Sequence, residues 1–172
     1  MTATSIVLVP TLVTPPSDAV VELEDIKRHL RIDDNYSDAI LASYVLASVG
    51  YLDGWRGVLG RCIMEQEWSV EFEEAGTWRL PFADVLSVAA VDVDDVVMTA
   101  TLTQDAQGAV VEIEEAGTVT MTIAMPVEEV ATVKVIVMLM VERMHDRPIG
   151  PADAANVSAV QMLINTVRRM VI

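Results

Sequence analysis

A chain of 172 residues with 26 Asp and Glu against 11 Lys and Arg carries a net charge of −15 and reads as one domain, or one domain with appendages. A hydrophobic fraction of 52% excludes disorder across the whole chain, and a single cysteine, Cys62, excludes an internal disulfide framework. The charge repels phosphate and the basic residues are scattered, so tight binding of DNA or RNA by this chain alone is not expected.

Pro10, Pro15 and Pro16 punctuate residues 1–20, which read as an extended arm without the basic leader or small-residue cleavage site of a signal peptide. A short helix is expected over Val21 to Leu30: Glu22, Glu24 and Asp25 suit its N-terminal dipole, and Lys27, Arg28 and Arg31 its C-terminal end. A second helix, capped by Asn35 or Ser37, runs to about Trp55. Its Ile40, Leu41, Tyr44, Val45, Tyr51, Leu52 and Trp55 recur at three- and four-residue steps, a stripe expected to face a core. Gly54, Gly57 and Gly60 then end it.

From Cys62 the period becomes two. Trp68, Val70 and Phe72 alternate with Glu67, Ser69, Glu71 and Glu73, which gives one apolar and one acidic sheet face. Residues 61–125 hold 2 basic against 13 acidic residues, so the acid is concentrated here. The octapeptide from Val70 to Thr77 returns from Val111 to Thr118 with one change, Phe72 against Ile113. Each copy puts a glycine between two alternating runs, which predicts two β-hairpin turns. Val85 to Val97 and Met98 to Thr103 add strand-like segments, so about 62–124 reads as an antiparallel β-subdomain.

Pro126 opens a third helix with Glu128 and Glu129 in its first turn. From Val130 to Met144 it is apolar on nearly every side, with Lys134 the exception, and is expected to be buried all round or to lie in an interface. Its longest apolar run, Val135 to Val141, is far short of the ~20 residues of a membrane span. The stiff connector from Arg147 to Pro151 leads to a last helix, about Ala152 to Met170, with Val157, Val160, Ile164 and Val167 on one stripe. The fold class is α+β: N-terminal helices and two C-terminal helices packed with a small antiparallel β-subdomain. Residues 21–150 form the helical core that carries the insertion, and 151–172 a C-terminal helix and tail.

No catalytic constellation emerges. A phosphate-binding G-x-x-x-x-G-K-[ST] loop, a nucleophile elbow and a helical His pair are all missing, and no cofactor or metal is implied. His29 and His145 read as helix-end histidines, and the glycines from Gly54 to Gly60 follow a helix instead of opening one. Asp92, Asp94 and Asp95 read as a solvated strand face, and Cys62 as a small buried hydrophobe. Met138, Met140, Met144, Met162 and Met170 suit either core filling or an adaptable partner surface.

The order of segments is itself informative. Leu12-Val13-Thr14-Pro15-Pro16 is followed by the run from Val21 to Asp33, then by Tyr51-Leu52-Asp53-Gly54-Trp55, Leu59-Gly60-Arg61-Cys62 and Gln66-Glu67-Trp68. Arg79-Leu80-Pro81 with Leu86-Ser87-Val88, and Pro126 through to Glu142-Arg143, complete the series. Together these resemble the head-tail connector (adaptor) proteins of tailed phages and phage-derived gene transfer agents.

The resemblance implies a structural protein without catalysis, located at the head-tail interface of a virion or phage-like particle assembled in the host cytoplasm. It implies a ring of about twelve copies between the portal and a tail-side connector or stopper, with DNA passing through unbound. Family members typically engage the portal through the C-terminal segment, which here offers Val157, Val160, Met162, Leu163, Ile164, Val167, Arg168, Arg169, Met170 and Ile172. Leu12, Val13, Lys134, Met138 and Met140 are the candidate contacts between copies, and Glu71, Glu73, Glu112 and Glu114 a candidate acidic channel or partner face. The rival reading is an acidic binding module, tail-side or DNA-mimicking, that does not dock on a portal.

Overall fold

The computed structural model describes residues 8–146 and 151–168. Their contacts divide the chain into two units, one built from the N-terminal arm and residues 65–124, the other from residues 18–64 and those from 125 onward. The α+β class holds: helices from both ends of the sequence share one unit and the strands make the other.

In the helical unit, α1 (Leu23–Leu30) has Glu24 and Asp25 in its first turn and closes on Arg31 in the left-handed region, φ 58°. Lys27, buried at its end, donates to Asn35 Oδ1 at 2.6 Å and pairs with Asp38 at 3.0 Å, which ties α1 to the start of α2 (Asp38–Leu52). Helix α2 stops before Trp55 because Asp53 turns extended and its carboxylate accepts the Ile63 N–H at 2.7 Å. Helix α3 spans Val127–Asp146 and α4 Pro151–Val167.

Ile26, Leu41, Leu52, Leu59, Ile63, Val133, Ile136, Val137, Val141, Ile164 and Val167 fill the core of this unit. Burial of such side chains stabilises by about 1.5–3 kcal/mol each and explains why the four helices hold together. The helix α1 to helix α3 contact is also bridged by His29 Nε2 and Glu142 Oε2 at 3.1 Å.

The β-unit holds two antiparallel sheets. One has the order β1-β2-β8-β4-β5, from β1 (Thr11–Thr14), β2 (Gln66–Phe72), β8 (Gly117–Ile123), β4 (Val85–Asp92) and β5 (Val97–Met98). The other has β3 (Gly76–Arg79), β7 (Gly108–Ile113) and β6 (Ala100–Asp105), in the order β3-β7-β6. Strict alternation of buried and half-buried residues along β8 reflects the period of two.

The two repeated octapeptides are not hairpins. β2 pairs with β8 from Gln66↔Ile123 to Phe72↔Gly117, and the same register resumes as β3 pairs with β7 from Gly76↔Ile113 to Arg79↔Val110. Each copy is a corner at which one strand leaves the first sheet and enters the second, and the two copies lie against each other. Glycine makes the corner possible. Gly76 sits at φ +154°, and a Cβ on Gly117 would stand 2.1 Å from the Val91 carbonyl oxygen, so only a bare backbone lets β8 approach β4 there.

The segment expected as strand from Val85 to Val97 is also broken. Asp92 Oδ1 accepts the N–H groups of Asp94 (2.8 Å) and Val96 (2.9 Å), and Asp95 is left-handed at φ 61°, which reverses the chain between β4 and β5. Asp94 and Asp95 therefore lie on a turn, not on a strand face.

Candidate functional site

The residues singled out for chemistry are each held in structural roles. Backbone N–H groups of the loop after α2 are used within it and on the end of α2: Gly54 donates to the Arg61 carbonyl at 2.9 Å, Val58 to the Tyr51 carbonyl at 2.9 Å and Leu59 to the Leu52 carbonyl at 3.2 Å. None of these is directed at an anion. His29 meets Glu142, His145 Nδ1 lies 2.7 Å from Asp146, and Cys62 is fully buried. Among the described residues no three His, Cys, Asp or Glu side chains gather as a metal site.

The acid of the middle segment gathers at the two corners. Glu71, Glu73 and Glu74 on one copy, and Glu112, Glu114 and Glu115 on the other, are all exposed. Beside the first corner lies a groove of about 440 Å³, lined by Leu8, Val9, Thr11, Ser69, Val70, Glu71, Phe72, Glu73, Glu74 and Trp78. Phe72 and Trp78, with ring centroids 5.6 Å apart, form its aromatic side. A second cavity of about 370 Å³ shares Glu71, Phe72 and Glu73 and reaches Val93.

Elsewhere in the β-unit one cation is committed to an ion pair. Arg79 grips Asp105 with two hydrogen bonds, 2.9 and 2.6 Å. The guanidinium, helped by the Gln107 N–H, holds the Asp105 carboxyl well below the usual carboxylate range, while the carboxylate raises Arg79.

Helix α4 divides into two faces. Ile164 and Val167 are buried in the helical core, with Val160 and Leu163 packed against it, whereas Val157, Met162 and Arg168 are exposed, Met162 at 63%. Arg169, Met170 and Ile172 lie outside the described residues. Arg61 secures this helix: its guanidinium, 10% exposed, bonds the Glu129 carboxylate at the start of α3 and the Val167 carbonyl oxygen at 2.9 Å at the end of α4.

The candidate contacts between copies are similarly mixed. Leu12 and Val13 are exposed on β1, at the end of its sheet, and Lys134 is exposed on α3, but Met138 and Met140 are half-buried against the helical core. Helix α3 is not covered all round, since Val127, Ala131 and Val135 beside Lys134 are open.

Sequence reasoning missed two apolar surfaces. Ile40 and Tyr51, expected in the core, are exposed with Leu46 on a helix that has no charged residue from Ala39 to Leu52. That absence of charge on both faces was the available signal. Val93 (79%) and Val97 (82%) protrude at the turn between β4 and β5. A run of valines in strand-like sequence gave no sign that a turn would expose them.

No protein-family model and no curated protein matches the chain. Among solved structures, the fold is similar to a chain of the neck of an empty GTA particle computed with C6 symmetry. The TM-score is 0.63 at 17% identity, covering 95% of this chain and 97% of that one. At that identity the likeness is one of fold, and it extends over both units.

Proposed function

We propose that this chain is a structural head-tail adaptor, which assembles as a ring of about twelve copies between a portal and a tail-side connector and leaves a channel for DNA. The observation that carries the reading is the fold shared, end to end, with a chain of a particle neck. The order of sequence segments points to the same class of protein. The role is one of assembly, with exposed apolar residues on separate elements supplying contacts.

In this reading the portal is engaged by the open side of α4, with Val157, Met162 and Arg168, together with Arg169, Met170 and Ile172. Val160, Leu163, Ile164 and Val167 contribute by holding the helix in place. Leu12, Val13 and Lys134 meet neighbouring copies. The net charge of −15 per copy keeps passing DNA from adhering.

The test is co-sedimentation with the portal protein of the same genome, comparing full-length chain, a truncation after Arg168 and Met162→Glu. Because α4 belongs to the helical core, these changes leave its buried residues intact, unlike removal of the whole helix. Binding near one copy per portal subunit, lost in both variants while circular dichroism stays unchanged, is the expected result. Absence of binding by the folded full-length chain at low and moderate salt refutes the portal contact.

A further inference from the structure

The groove at the first corner has an apolar, aromatic side and a rim of three carboxylates. Glu71, Glu73 and Glu74 have no cationic partner among the described residues, although Arg79 in the same unit is committed to Asp105. Three like charges within four residues repel one another, and a cation placed among them removes that repulsion. Phe72 and the half-buried Trp78, their ring centroids 5.6 Å apart, line the same groove. Val9 at one end, and Val93 in the adjoining cavity that shares Glu71, Phe72 and Glu73, offer apolar contact on either side of the acid.

An anionic occupant is repelled, and a neutral apolar one leaves the carboxylates unpaired. The groove also borders the start of β1, which is the edge strand of its sheet among the described residues. An extended chain suits such an edge. We propose that this groove receives an extended segment of another protein in the assembly, one in which arginine or lysine alternates with apolar residues. The proposal deepens the assembly reading by naming a surface and the chemistry of its occupant, and its test needs no portal.

The probe is a fluorescein-labelled peptide, Gly-Arg-Val-Arg-Val-Arg-Gly, titrated with the full-length chain and read by fluorescence anisotropy. Saturable binding is expected, weakened about tenfold by the triple change E71Q/E73Q/E74Q, since each such ion pair at a partly open site contributes modestly. The triple change E24Q/E65Q/E128Q removes the same charge from exposed glutamates elsewhere and is expected to leave binding unchanged. The peptide with glutamine for arginine is expected to bind at least about tenfold more weakly. All these substitutions are at exposed positions, and circular dichroism verifies the fold.

Three results overturn the proposal: no saturable binding, equal weakening by both triple changes, or equal binding of the glutamine peptide. The second would show attraction to the overall charge, and the third a merely apolar surface. A chain that binds the peptide but not the portal loses the portal contact and keeps the groove; the converse result removes the groove alone.

Discussion

Replacing Arg61 by methionine retains much of the side chain's apolar volume and removes the guanidinium that joins the start of α3 to the end of α4. The Glu129 carboxylate and the Val167 carbonyl oxygen are among the groups that then lose a partner. Loss of one member of a fully buried ion pair costs about 3–5 kcal/mol, but the Glu129 side chain is 37% exposed and recovers some hydration. The unpaired carbonyl adds about 1–3 kcal/mol if water cannot reach it. A net loss of about 2–3 kcal/mol follows. At about 2–4 °C per kcal/mol for a chain of this size, Tm falls by about 5–10 °C. Thermal unfolding followed by circular dichroism measures the total, and hydrogen exchange localises it, with faster exchange expected first at α4 amides near Val167. A Tm change under about 2 °C, or exchange that rises equally in all helices, refutes Arg61 as the clamp on α4. A double-mutant cycle with Glu129→Gln isolates the ion pair from the carbonyl contact.

Gly117→Ala, which drives a Cβ into the Val91 carbonyl, is expected to cost about 2 kcal/mol or more by denaturant unfolding, whereas Gly50→Ala, with open space around the site within α2, gains about 0.5–1 kcal/mol. Arg79→Ala should bring the Asp105 carboxyl back up toward its ordinary value, as read by NMR titration. Because Arg79 lowers that carboxyl in the folded chain, the contribution of the pair is present above the unfolded carboxylate range and is lost as pH falls through the folded value. Ile164→Ala should cost about 2–4 kcal/mol through the cavity it leaves in the helical core. Met162→Glu, on the open side of the same helix, should stay within about 0.5 kcal/mol of the parent.

The α4 residues illustrate how far periodicity reaches. A stripe of Val157, Val160, Ile164 and Val167 is legible as one side of a helix, but its period is the same whether a core or another protein covers it. The fold places Ile164 and Val167 in the core and leaves Val157 at the edge of the stripe and Met162 outside. On α2, the sequence contains apolar or small residues on every side, so the buried choice of Leu41 and Leu52 over Ile40 and Tyr51 depended on where α3 packs.

The amino-acid order alone determined the elements and their class: two helices, a strand-rich acidic middle and two more helices, because turn residues, caps and the change of period from 3.6 to two are local signals. It also determined that the acid would concentrate between residues 61 and 125. The tertiary structure alone decided what the repeated octapeptides do. Glu-Glu-Ala-Gly after an alternating strand serves a hairpin or a corner equally well, and only the distant partner distinguishes them: β2 takes β8 and β3 takes β7, in one register. The acidic groove exists because of that choice, since a hairpin would have paired β2 with β3 and set Phe72 and Trp78 in a different relation. Pairing between residues some forty positions apart is a property of the folded ladder, for which no local signal in the chain exists.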